Sequence, residues 1–222
     1  MTPLQSKVFS CRACVDNGKR FGFAFRADGY PKKFPPTIPD KGTARLLFMA
    51  LCPRPTNNYV LDWSNSGPTE FATLGADRNQ DSDSYLQSYE KERFYRPFVE
   101  IVSEAYKGKQ FGEVATVSDL YFCALPSRGL GAESPCANLH LLDLISHVRP
   151  HIIVTKGNRP MHYFEKFGGG EKFDYRRVYS IQICGLSITL LPVRWWDLGG
   201  HAREPAKTWL LKNIRVLDAD SS

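Results

Sequence analysis

Apolar positions along this chain alternate between short unbroken runs and longer stretches at helical spacing. Arg45-Leu-Leu-Phe-Met-Ala-Leu51 is a continuous apolar run stopped by Cys52-Pro-Arg-Pro55, the pattern of a strand buried inside a parallel sheet. Between Pro97 and Lys107, Phe98, Ile101, Val102 and Ala105 recur at i, i+3, i+4 and i+7, which predicts an amphipathic helix with proline in its first turn. Val114 to Phe122 reads as a second strand. Leu141, Leu144, Ile145 and Val148 form the stripe of a second helix, which ends before Pro150, and His151-Ile-Ile-Val-Thr155 follows as a third buried strand. Gly157 closes that strand, Asn158 is placed to cap a helix carrying Met161, Phe164 and Phe167, and Gly168 to Gly170 terminate it. Val178 to Ile183 and Leu186 to Leu191 flank Cys184-Gly185 as a hairpin or two edge strands, and a last helix runs from Pro205 to about Ile214.

Strands and helices in alternation predict an α/β fold: a three-layer α/β/α sandwich around a mostly parallel central sheet, as one domain over residues 1–222. Two stretches stand outside that alternation. Residues 1–40 carry Phe21, Phe23 and Phe25 at alternate positions, a short strand pattern, and then the Pro-rich connector around Pro35-Pro36. Residues 60–92 are polar and irregular, a loop insertion within the domain.

Composition narrows the class of protein. A chain of 222 residues with 42% hydrophobic residues is long enough to bury a sizeable core. No apolar run approaches the roughly 18 residues of a membrane span, and the N-terminus lacks the apolar core of a secretory signal. The expected location is the cytoplasm, or the nucleus in a eukaryote, and the expected state is a monomer. A net charge of +6 favours a polyanionic partner such as nucleic acid.

Six cysteines in a reducing compartment read as metal ligands or free thiols rather than disulfides. Cys11-Arg-Ala-Cys14 is a tight knuckle, and Cys123 and Cys136 supply a second pair more than a hundred residues on. Thiolates are soft ligands that suit zinc or an iron–sulfur cluster, and a shared site would pin the first and middle parts of the chain together. Cys184, outside the pattern, reads as a buried thiol, as does Cys52.

Val117-Ser-Asp-Leu-Tyr-Phe-Cys-Ala-Leu-Pro-Ser-Arg128, then Cys136, a Leu-rich helix and Arg149-Pro-His-Ile-Ile-Val-Thr-Lys-Gly157 resemble the iron–sulfur uracil-DNA glycosylases. The resemblance takes in residues 8–15 and 95–168, and residues 45–58 more loosely. It implies a [4Fe–4S] cluster on Cys11, Cys14, Cys123 and Cys136, with zinc as the alternative. It also implies a DNA partner and hydrolysis of the N-glycosidic bond of uracil or another modified base. Such an enzyme flips the base from the duplex, holds its Watson–Crick edge and stabilises a developing oxocarbenium ion and base anion.

Against the family pattern, the loop after the first strand keeps Pro53 but loses its glycine, which leaves Asn57 or Asn58 to orient water or sugar. Cys52, Pro53 and Phe71 are placed to line a base pocket. Asp119 stands where the family has an asparagine that reads the base edge; ionised, it only accepts hydrogen bonds, which suits an amino-bearing edge of cytosine or adenine type better than uracil O4. The family's His-Pro loop after the last strand is replaced by Pro192-Val-Arg-Trp-Trp-Asp197. Arg194 is the candidate stabiliser of a base anion there, with His201 as a second candidate, and Trp195 and Trp196 are candidates for stacking or wedging. Arg12, Arg54, Arg128 and Lys156 are expected on loops as phosphate contacts. Two further readings stand beside the enzyme: a DNA-binding module of the same fold that has lost catalysis, and a four-cysteine zinc protein.

Overall fold

Leu46 to Ala50 have 1% or less of their surface exposed, which fixes this segment as a strand covered on both faces (β1, Leu46–Ala50). It belongs to a five-stranded sheet in the computed structural model, which describes residues 3–11, 13, 43–51, 96–122, 136–194, 197–198 and 203–219. The other strands are β2 (Ala115–Asp119), β3 (Ile152–Lys156), β4 (Tyr179–Ile183) and β5 (Leu186–Val193). Their order across the sheet is β2-β1-β3-β5-β4. β1 pairs with β3 in parallel, with Phe48 opposite Val154, and β3 pairs with β5 in parallel, with Lys156 opposite Val193. β4 and β5 form an antiparallel hairpin at one edge, turned at Cys184 (φ 53) and Gly185 (φ 72). The expected α/β fold with a mostly parallel sheet is the one observed.

The chain divides into two compact units. One comprises residues 38–50, 86–118 and 147–222, and holds all of β1, β3, β4 and β5 with most of β2. Its core joins Leu46, Phe48, Ile152, Val154, Leu191 and Val193 to helices α2 (Arg96–Ala105) and α6 (Arg203–Ala219). Phe48 stacks on Phe98 of α2 with ring centroids 4.4 Å apart. Arg215 of α6 donates to the Glu104 carbonyl of α2 at 2.8 Å, and Lys207 pairs with the Glu104 carboxylate. A single turn, α3 (Phe111–Val114), leads into β2, which is shorter than the Val114–Phe122 strand read from the sequence.

The second unit comprises residues 1–37, 51–85 and 119–146. Here α1 (Pro3–Ser10) is tied to α4 (Leu142–Val148) by an ion pair between Lys7 and Asp143. A π-helical turn, Ala137–Leu141, leads directly into α4. The expected stripe of Leu141, Leu144, Ile145 and Val148 is fully buried. Arg149 closes the helix in the left-handed region (φ 52), immediately before Pro150, which could not continue it.

After β3 the chain enters α5 (Asn158–Glu165). The expectation of Asn158 as its cap is corrected: Gly157 occupies the cap position with φ 100, a conformation that excludes most side chains, and Asn158 lies inside the first turn. Cys184 is also corrected, from a buried thiol to an exposed one at the tip of the β4–β5 hairpin. Among the described residues no helix is long and apolar enough to cross a membrane. The strand pattern at Phe21–Phe25 and the 60–92 insertion lie outside the described residues.

Candidate functional site

In open α/β sheets, ligands bind beyond the carboxyl ends of the strands, where strand order reverses. With the order β2-β1-β3-β5-β4, the connection from β1 runs to one side, to β2, and that from β3 to the other, to β4, so the reversal falls between β1 and β3. The residues at the carboxyl ends of β3 and β5 are therefore the first place to look for chemistry.

β3 ends on two polar residues, Thr155 and Lys156, whose side chains point to opposite faces. The Thr155 hydroxyl is buried without a hydrogen-bond partner. Lys156 is only 5% exposed, and its ammonium lies 5.6 Å from the centre of the Phe98 ring. Burial lowers its pKa to about 8. The expectation of Lys156 as a cation on a loop is thus corrected: it is a buried strand residue. The Gly157 N–H donates to the Val193 carbonyl at 2.8 Å, which locks the ends of β3 and β5 together.

Arg194 follows directly at the end of β5, with its side chain on the surface. Its guanidinium lies 5.5 Å from the centre of the Tyr175 ring, a cation–π geometry. The Tyr175 hydroxyl in turn donates to Oδ1 of Asn158. Burial raises the pKa of Tyr175; Arg194 opposes that shift and Asp197 adds to it. Beneath Arg194 lies Asp197, 1% exposed, which binds the Arg176 guanidinium through both carboxylate oxygens, at 3.1 and 3.4 Å. Arg176 reaches it from a left-handed backbone conformation (φ 57), held by its N–H donating to Pro192 O at 2.9 Å. A non-glycine residue in that region carries about 1 kcal/mol or more of strain, offset here by the ion pair.

Sequence reasoning found Arg194 but missed Tyr175, Arg176 and Asn158 as its supports. No short motif joins them: Arg176 and Asp197 are 21 positions apart, and only the fold brings them together.

Asp119 ends β2 and is 7% exposed. Burial raises its pKa to about 7, so near neutrality the carboxyl group is poised between its acid and carboxylate forms. This changes what it offers. The acid form presents one donor and one acceptor, the same pair as an amide, whereas the carboxylate only accepts.

Of the four expected metal ligands, Cys11 and Cys136 are described. Both belong to the second unit, Cys11 partly exposed after α1 and Cys136 buried at the entry to the π-helical turn. Thiolates are soft donors of the kind that an iron–sulfur cluster or zinc takes, and both described members of the set lie in this one unit. Cys14 and Cys123 lie outside the described residues. So do Arg12, Cys52, Pro53, Arg54, Asn57, Asn58, Phe71, Arg128, Trp195, Trp196 and His201.

No protein-family model matches the chain, and no curated protein matches it at a significant level.

Proposed function

We propose that this protein is a DNA glycosylase that hydrolyses the N-glycosidic bond of uracil or another deaminated or modified base. The observation that carries the reading is Arg194 at the carboxyl end of β5: its exposed guanidinium lies over the Tyr175 ring, and its backbone N–H is held by the buried Asp197 carboxylate. Breaking an N-glycosidic bond leaves the electron pair on the base and positive charge on the sugar. A fixed cationic donor at the departing base lowers that barrier, because it is oriented before the charge develops. Water then captures the sugar cation.

Asp119 is proposed, on the sequence resemblance, to address the base edge. In its acid form it gives the donor–acceptor pair that uracil's O4 and N3–H require, so the asparagine-to-aspartate change is compatible with a uracil-type edge. The [4Fe–4S] cluster, held by Cys11, Cys14, Cys123 and Cys136, is proposed as a structural staple that orders the N-terminal segment. It takes no part in the bond cleavage. The net charge of +6 suits the phosphate backbone that such a protein must approach.

The test is a panel of duplexes carrying uracil, hypoxanthine, xanthine or 5-substituted pyrimidines, incubated with the protein and treated with alkali. Strand breaks at one or more of these bases support the reading. Intact strands throughout would favour a DNA-binding module without catalysis.

A further inference from the structure

The segment that enters β4 is anchored at three successive residues. The Asp174 N–H donates to the Tyr179 hydroxyl at 2.6 Å, and the Tyr175 hydroxyl donates to Oδ1 of Asn158. The Arg176 N–H donates to the Pro192 carbonyl at 2.9 Å while its guanidinium binds Asp197, all from a backbone at φ 57. A left-handed non-glycine residue persists where its surroundings over-determine it, and such residues gather at functional sites.

This frame presents charge that stability does not need. Arg177 has 68% of its side chain exposed, and its neighbour Asp174, at 3.7 Å, is 70% exposed. An ion pair so open to water contributes little to the fold. Arg176 keeps 39% of its side chain exposed while it holds Asp197. Oδ2 of that same aspartate also accepts from the Arg194 N–H, so Arg176 and Arg194 meet at one carboxylate.

The place of the segment in the sheet gives these cations a direction. Tyr179 opens β4 opposite Leu190, in the second half of β5, so residues 174–178 lie toward the carboxyl end of β5. That is the end at which α/β sheets meet their ligands. Arg176 and Arg177 turn to different aspartates, Asp197 and Asp174, so their charges are spread rather than gathered on one point. Spread guanidinium groups suit a polymer of singly charged phosphates, each a planar-donor target, better than one compact dianion.

We infer that Arg176 and Arg177 contact the backbone phosphates of a DNA strand that flank the base addressed by Arg194. The choice of DNA as the polymer rests on the proposed glycosylase reading, which these two residues extend from the base to the strand. They position the strand and take no part in bond cleavage. Because the segment is already anchored, little backbone freedom remains to be lost on binding.

The experiment measures fluorescence anisotropy of a labelled duplex containing only normal bases, titrated with the full chain over a series of salt concentrations. Each phosphate contact contributes about 0.9 to the slope of log affinity against log salt. Arg177→Gln is expected to lower that slope by about one contact and to weaken binding several-fold at low salt, with an unchanged thermal midpoint. Arg177→Lys, which keeps the charge, is expected to restore the slope. Arg149→Gln removes the same charge from an exposed residue just before β3, at the opposite end of that strand, and is expected to leave the slope at the wild-type value. A wild-type slope in Arg177→Gln, an equal loss in Arg149→Gln, or no salt-dependent binding by the wild type would overturn the inference. The duplex offers no base to remove, so the result stands or falls independently of whether the protein is a glycosylase.

Discussion

The backbone N–H of Arg194 donates to Oδ2 of Asp197 at 3.1 Å, and the N–H of Asp197 returns to the Arg194 carbonyl at 3.2 Å. This reciprocal pair fixes the turn that presents the guanidinium, and Arg176 neutralises the carboxylate that makes it. Arg176→Ala leaves Asp197 buried without its counter-ion, an uncompensated charge that costs on the order of 2–3 kcal/mol. Asp197→Asn keeps an acceptor for the Arg194 N–H and is expected to cost less. Urea unfolding of the two variants checks the order; a stable Arg176→Ala protein would remove the ion pair from this account.

Gly168 follows α5, and an alanine methyl group there would lie 2.7 Å from Cε1 of Phe173 and closer still to Cζ. Phe173 is buried and stacks on Tyr179 with ring centroids 4.1 Å apart, so it has little room to swing aside. Gly168→Ala is expected to destabilise the fold by about 1–3 kcal/mol, as overpacking does. A midpoint unchanged in thermal unfolding would show that the ring yields freely.

Two buried groups give stability opposite pH dependences. Asp119 is raised from 3.8 to about 7, so between those values the folded state binds more protons than the unfolded chain, and stability falls as pH rises through that window. Lys156 is lowered from 10.5 to about 8, so the unfolded chain binds more protons between about 8 and 10.5, and stability rises with pH there. Asp119→Asn is expected to flatten the first slope and Lys156→Met the second, each read as the difference from wild type in unfolding free energy against pH. Parallel curves for variant and wild type would contradict the assignment.

The thiolate site makes a separate prediction. The purified protein should be brown and hold iron and acid-labile sulfide in equal amounts, with Cys11→Ala and Cys136→Ala both losing them. A colourless protein with stoichiometric zinc would replace the cluster by a zinc site, and unchanged metal in either variant would remove that cysteine from the ligand set.

The sheet was legible because burial writes itself directly into local spacing: the runs at Leu46–Ala50 and Ile152–Thr155 and the stripe Leu141, Leu144, Ile145, Val148 all fall where the pattern put them, with β3 running on to Lys156. What spacing does not encode is where a polar side chain goes. Lys156 looks like any surface cation in a string of letters, and only its strand position and the Phe98 ring reveal it as buried. Asn158 has the chemistry of a cap, but Gly157 takes that place through its backbone freedom, and the amide is left to receive the Tyr175 hydroxyl. The Arg176–Asp197 pair depends on β5 returning beside the segment that follows α5, a long-range consequence of topology with no local signature.

The most direct test of the central claim is release of free base, followed by chromatography under single-turnover conditions with wild type and Arg194→Ala. The account predicts that the wild type liberates uracil or another deaminated or modified base from duplex DNA. Arg194→Ala, folded to the same thermal midpoint, should release it at least a hundredfold more slowly, about the loss expected when one preorganised transition-state donor is removed. No free base from any substrate, or equal rates for the two proteins, would contradict it.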